Sequence, residues 1–98
     1  MMAELTGARI HITGIVQGVG FRPFVYGLAT RLGIKGWVRN TSAGVDIHVD
    51  GTESSLEHFA NMLRENAPPL ALIDSLEVDS CSPNGFSSFE IIHSEPIP

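Results

Sequence analysis

The 98-residue sequence predicts an α+β sandwich, with two helices on one face of an antiparallel sheet of four to five strands. Three observations carry that prediction. Ile10/Ile12 and Val45/Ile47/Val49 alternate with polar residues, the period of half-buried strands. The segments around Phe24–Leu32 and Leu56–Leu63 carry apolar residues at helical spacing instead. The two patterns interleave in the order β-α-β-β-α-β.

The first strand spans Ala8–Ile15, with Ile10 and Ile12 facing one way and Arg9, His11 and Thr13 the other. A glycine-bearing loop follows, Gly14-Ile15-Val16-Gln17-Gly18-Val19-Gly20-Phe21-Arg22. Pro23 suits the first position of a helix, where its missing N–H costs nothing, and the residue before it is disfavoured in α geometry. The spacing therefore predicts a helix over Pro23–Leu32, with Arg22 as N-cap and Gly33 just past the end. Gly36–Asn40 reads as a second strand, Thr41–Gly44 as a turn, and Val45–Asp50 as a third strand completing a hairpin. Ser54-Ser55-Leu56-Glu57 matches a capping box. The second helix then runs through Leu56, Phe59, Ala60 and Leu63 until Pro68-Pro69 stops it. Ile73–Ser80 is a fourth strand, and Gly85–Ile92 a weaker extended segment with Phe89 and Ile91 on one side. This order is the split βαβ, or ferredoxin-like, arrangement, which hosts many unrelated functions. Residues 1–7 and 93–98 are expected to be tails around one domain, 8–92, with Glu95-Pro96-Ile97-Pro98 a linker to further domains or a chain end.

With 43% hydrophobic residues the chain can bury one core without a disulfide or metal. Its formal charge of −5 argues against a broad nucleic-acid or anionic-membrane surface, so any anion must be held by a local cluster of donors. Cys81 is the single cysteine, which fits a reducing compartment. Met1–Leu5 lacks the basic and apolar stretches of a secretory signal, so a cytoplasmic location is expected. His11, His48, His58 and His93 sit on different segments without metal-ligand spacing; neither metal nor cofactor is expected.

The chemistry points to Val16–Arg22. Gly18 and Gly20 allow backbone conformations closed to other residues, and successive amides of Val16, Gln17, Gly18, Val19, Gly20 and Phe21 can converge into an anion-binding nest. Such a nest would open at a helix N-terminus, where unpaired amides and the dipole already favour negative charge. Arg22 adds a guanidinium able to grip a phosphate bidentately. Taken alone, a glycine loop of this kind is more often a tight strand-to-helix turn that binds nothing. A dinucleotide fingerprint would need a glycine where Pro23 stands, and a Walker loop would need a lysine that is absent here.

Gly14-Ile-Val-Gln-Gly-Val-Gly-Phe-Arg22 resembles the first signature of the acylphosphatase family, and Gly36-Trp-Val-Arg-Asn-Thr-Ser-Ala-Gly44 the second. Phe21-Arg22-Pro23-Phe24-Val25 and Ala67-Pro68-Pro69-Leu70-Ala71 look like the subgroup formed by the N-terminal domains of HypF carbamoyltransferases. Asp46, where free acylphosphatases usually carry valine, supports that subgroup.

The resemblance implies that Arg22 binds the phosphoryl group, that Asn40 orients the attacking water, and that the substrate is an acyl phosphate, carbamoyl phosphate above all. It also implies partners in the other domains of a longer, hydrogenase-maturing chain. A phosphate-binding module with little turnover and a free-standing acylphosphatase are the alternatives. Arg39 is expected to face solvent and Trp37 to pack on the sheet.

Overall fold

The structure, a computed structural model, describes residues 4–93. The expected linker at Glu95–Pro98 lies outside them. Five strands and two helices follow in the order β1 (Leu5–Ile15), α1 (Phe21–Arg31), β2 (Lys35–Thr41), β3 (Gly44–Thr52), α2 (Glu53–Glu65), β4 (Leu72–Cys81) and β5 (Phe89–Ile92). They build one sheet in the order β4-β1-β3-β2-β5, so the ferredoxin-like α+β class holds.

β1 pairs antiparallel with both β3 and β4, and β2 antiparallel with β3. The last strand departs from the all-antiparallel expectation: β5 joins the far edge and runs parallel to β2, from Gly36↔Phe89 to Arg39↔Ile92. The reason is connectivity. β4 ends at the same end of the sheet at which β2 begins, so a chain crossing there must enter the β2 edge in the direction of β2.

Alternation selects the core. Ala8, Ile10 and Ile12 of β1, Val38 of β2 and Val45, Ile47 and Val49 of β3 point to the helix side and are buried. Phe21, Val25, Leu28 and Ala29 of α1 and Leu56, Phe59 and Leu63 of α2 close over them. Burying one such side chain stabilises the fold by about 1.5–3 kcal/mol. Among the described residues no helix is long and apolar enough to cross a membrane.

Both helix starts differ from expectation. The N-cap of α2 is Thr52, not Ser54: Thr52 accepts from the Ser55 amide at 3.1 Å and donates to the Ser55 hydroxyl at 2.8 Å. β3 runs two residues beyond the expected end, delivering Thr52 with the extended backbone a cap requires. α1 likewise starts at Phe21 with Gly20 as N-cap, which places Arg22 and Pro23 inside the first turn rather than at its edge. Two contributions outweigh the bias against α geometry before proline. Phe21, 1% exposed, enters the core, and the Phe24 amide closes the first turn on the Gly20 carbonyl at 3.2 Å. Pro23 remains among the positions whose N–H a helix leaves unpaired.

The sheet face opposite the helices carries polar residues. Trp37 stacks on His48 at 4.2 Å between ring centroids, with Arg39 over the indole at 5.0 Å. Asp46, two residues past the second motif, pairs with His11 at 2.5 Å and with Arg39 at 3.9 Å, which gives this acid its local role. Trp37 thus packs on the sheet as expected, and Arg39 faces solvent.

Candidate active site

The loop after β1 is pinned at both ends and free in the middle. Val16 and Phe21, each 1% exposed, sink their side chains into the core. Gln17 lies outside the core but ties the loop to the β2–β3 turn, donating through Nε2 to the Gly44 carbonyl at 2.9 Å and to the Thr41 carbonyl. Gly18 and Gly20 between them adopt φ of 72° and 80°, left-handed values that other residues adopt only with strain. A Cβ on either would meet no protein atom within 4 Å, so their hydrogens face open space.

Above this loop α1 begins without protection. The first helical bond comes from the Phe24 amide, which leaves those of Phe21 and Arg22 without helical acceptors. No side chain caps this end and no acidic residue lies in its first turn. The contrast with α2 is instructive: there Thr52 caps and Glu53 supplies negative charge. The N-terminus of α1 keeps its positive dipole end and its donors for something else.

Asn40 arrives from the sheet. It follows Val38 by two residues on β2, so its side chain lies on the helix side, at the end of the strand beside the start of α1. Its Oδ1 is the single buried side-chain polar atom without a hydrogen-bond partner among the described residues. Buried acceptors are nearly always satisfied, and leaving one bare costs about 1–3 kcal/mol.

These groups meet. A pocket of about 240 Å³ is lined by Val16, Gln17, Gly18, Gly20, Phe21, Arg22, Pro23 and Asn40. All the residues expected to form the site therefore share one cavity, with one exception. Val19 packs against the core instead and does not line it.

Arg22 is half-buried, and its Nη1 donates to the Ile92 carbonyl at 3.5 Å, a long bond that ties the guanidinium to the end of β5. That partner could not be read from the sequence, because it requires knowing that β5 lies beside β2. A larger groove of about 290 Å³ between α2 and the β1–β4 edge has Glu53 and Glu57 in its walls beside Arg64, a poorer setting for an anion.

The similarities of the chain agree with this geometry. The acylphosphatase family profile matches residues 8–91. Carbamoyltransferase HypF2 of Cupriavidus necator is 47% identical over 91 residues, covering 89% of this chain but 11% of that protein. The chain thus spans about one ninth of such relatives. An acylphosphatase of Thermotoga maritima is 42% identical over 84 residues, covering 85% of this chain and 92% of that enzyme. The crystal structure of full-length HypF in its phosphate- and nucleotide-bound form superposes with a TM-score of 0.91 at 39% identity, over 94% of this chain and 12% of that one. The chain belongs to the acylphosphatase family, whose members are hydrolases.

Proposed function

We propose that this chain hydrolyses acyl phosphates in the pocket between Val16–Arg22 and Asn40, with carbamoyl phosphate as its preferred substrate. The observation that carries the reading is the bare, buried Oδ1 of Asn40, which lines the same cavity as a guanidinium and an uncapped helix N-terminus. A fold accepts such an unpaired acceptor where a ligand or a reacting water completes it.

The chemistry needs little more. In an acyl phosphate the leaving group is a carboxylate, or a carbamate in carbamoyl phosphate, stable enough to depart without a strong general acid. What the protein must supply is charge stabilisation on the phosphoryl oxygens and in-line placement of water. Arg22 and the amides of the 16–22 loop bind those oxygens. Each charge-assisted hydrogen bond contributes about 1.5–3 kcal/mol, enough in combination to hold a dianion on an acidic protein.

Asn40 accepts a hydrogen bond from the attacking water through Oδ1 and aims its lone pair at phosphorus. As the P–O bond to the acyl group breaks, a water proton passes to a phosphoryl oxygen, giving dihydrogen phosphate and carbamate. Titratable bases are absent from the lining of the cavity, which fits transfer to the substrate itself.

Preference for carbamoyl phosphate is supported by similarity to HypF carbamoyltransferases, in which this region is a small part of the chain. Within such a longer chain, the carbamate would pass to another domain. The test is phosphate release from carbamoyl, acetyl and benzoyl phosphates, corrected for spontaneous decay, alongside a phosphate monoester. Acyl phosphates should turn over, carbamoyl phosphate with the highest kcat/KM, and the monoester should resist because its poorer leaving group lacks a proton donor. Silence toward all three acyl phosphates refutes hydrolysis, and calorimetric binding without turnover would make this a binding module. A kcat/KM for carbamoyl phosphate below the other two refutes the preference.

A further inference from the structure

Asp50 is the one buried polar residue among those described, 4% exposed, and the chemistry above does not use it. It sits near the end of β3, opposite Gly7 of β1 and Lys35 of β2, at the end of the sheet remote from the pocket. The hydrogen bonds its carboxylate accepts among the described residues all come from one short segment. The amides of Asn84, Gly85 and Phe86 donate at 2.8–3.2 Å, and Asn84 Nδ2 adds another at 3.2 Å. Together these bonds hold the Asp50 carboxyl below its ordinary pKa, against the opposing effect of burial.

That segment is the crossing from β4 to β5. The two strands occupy opposite edges of the sheet, so residues 82–88 must pass β1, β3 and β2. Four strand spacings make about 19 Å, while eight residue steps reach about 26 Å at full extension. There is little slack. The crossing passes against Gly7 of β1, where a Cβ would lie 2.6 Å from the Ser82 carbonyl oxygen. It is caught by Asp50 over β3, and hands the Ser88 carbonyl to the Gly36 amide of β2 at 2.9 Å. β5 follows at once, and its last residue holds Arg22.

We propose that Asp50 is a positioning residue for Arg22: by clamping the crossing it sets the register in which β5 offers the Ile92 carbonyl to the guanidinium. Phe89, packed edge-on against Tyr26 at 6.1 Å, holds the same strand from the core side. A slip of one residue would move Ile92 by about 3.3 Å, beyond hydrogen-bond reach, and turn Phe89 out of the core. A carboxylate suits the clamp because it accepts on both oxygens and donates nothing. An amide in its place would turn donors toward donors.

The inference rests on the phosphate-binding reading of Arg22, so Asp50→Asn and Arg22→Ala are measured together. In Asp50→Asn, amide exchange of Phe89–Ile92 in the free protein should quicken about tenfold while β1 and β3 keep their protection. KM for benzoyl phosphate should rise about tenfold, the equivalent of one lost charge-assisted hydrogen bond, with kcat falling less. Asp50→Glu, which keeps the carboxylate, should recover part of both. Parent-like β5 exchange and KM in Asp50→Asn overturn the proposal, as does acceleration spread evenly over all strands. Should Asp50→Asn not fold, Asn84→Ala decides: it should raise β5 exchange and KM severalfold, and a parent KM overturns the proposal. Arg22→Ala with parent KM and rate removes the functional reading instead, whatever β5 does.

Discussion

Replacing Asn40 by alanine should move activity and stability in opposite directions. Oδ1 of Asn40 is buried and has no partner in the protein, so no protein hydrogen bond offsets its desolvation cost of about 1–3 kcal/mol. Truncation removes that cost and also a few packing contacts of a half-buried side chain, worth about 1 kcal/mol. The sum is a stability unchanged or raised by up to about 2 kcal/mol, which at that upper end is about 8–16 °C in Tm for a domain of this size. Hydrolysis of benzoyl phosphate should fall about 10²–10³-fold, the scale set when a group that places a reactant or stabilises a transition state is lost. Urea titration and initial rates on the same preparation give both numbers. A rate within threefold of the parent, or a stability lowered by more than about 1.5 kcal/mol, would make Asn40 a residue that closes β2 and refute the reasoning.

Three further outcomes are expected. Arg22→Lys should weaken inorganic phosphate binding about tenfold by calorimetry, because a point charge replaces a bidentate fork, and a parent-like Kd would show that the guanidinium does not grip the anion. Gly20→Ala should cost about 1–2 kcal/mol in urea titration from its left-handed φ of 80°, with no added clash, and should slow hydrolysis by distorting the loop; parent-like stability would mean that the loop relaxes. Because the folded pKa of Asp50 lies below its ordinary 3.8, its contribution to stability is complete above that value and is lost as pH falls through the folded pKa. Stability measured below about pH 4 should accordingly depend less on pH in Asp50→Asn than in the parent, and parallel curves would refute that.

How much of this was legible without coordinates depends on the range of the interaction. Alternation in Ile10–Ile12 and Val45–Val49 and the helical stripes of Phe24–Leu32 and Leu56–Leu63 are local periodicities, and each became the element expected. That Arg22, Asn40, Gly18 and Gly20 belong together was also legible from two motifs at a set spacing, and the structure brings them to one cavity. Helix starts were read wrongly where competing local signals were close. Ser54-x-x-Glu57 and Pro23 are good start signals, but Thr52 at the end of a longer β3 and the burial of Phe21 outweighed them.

Identity of the residues, and therefore the kind of chemistry available to them, belongs to the sequence alone. Tertiary structure alone decided the parallel placement of β5, the bond from Arg22 to Ile92, the clamp of Asp50 on residues 84–86 and the bareness of Asn40 Oδ1. Each joins groups from 34 to 70 residues apart, or depends on the absence of a partner nearby. No local pattern encodes such distances; they follow from the order in which strands share one sheet.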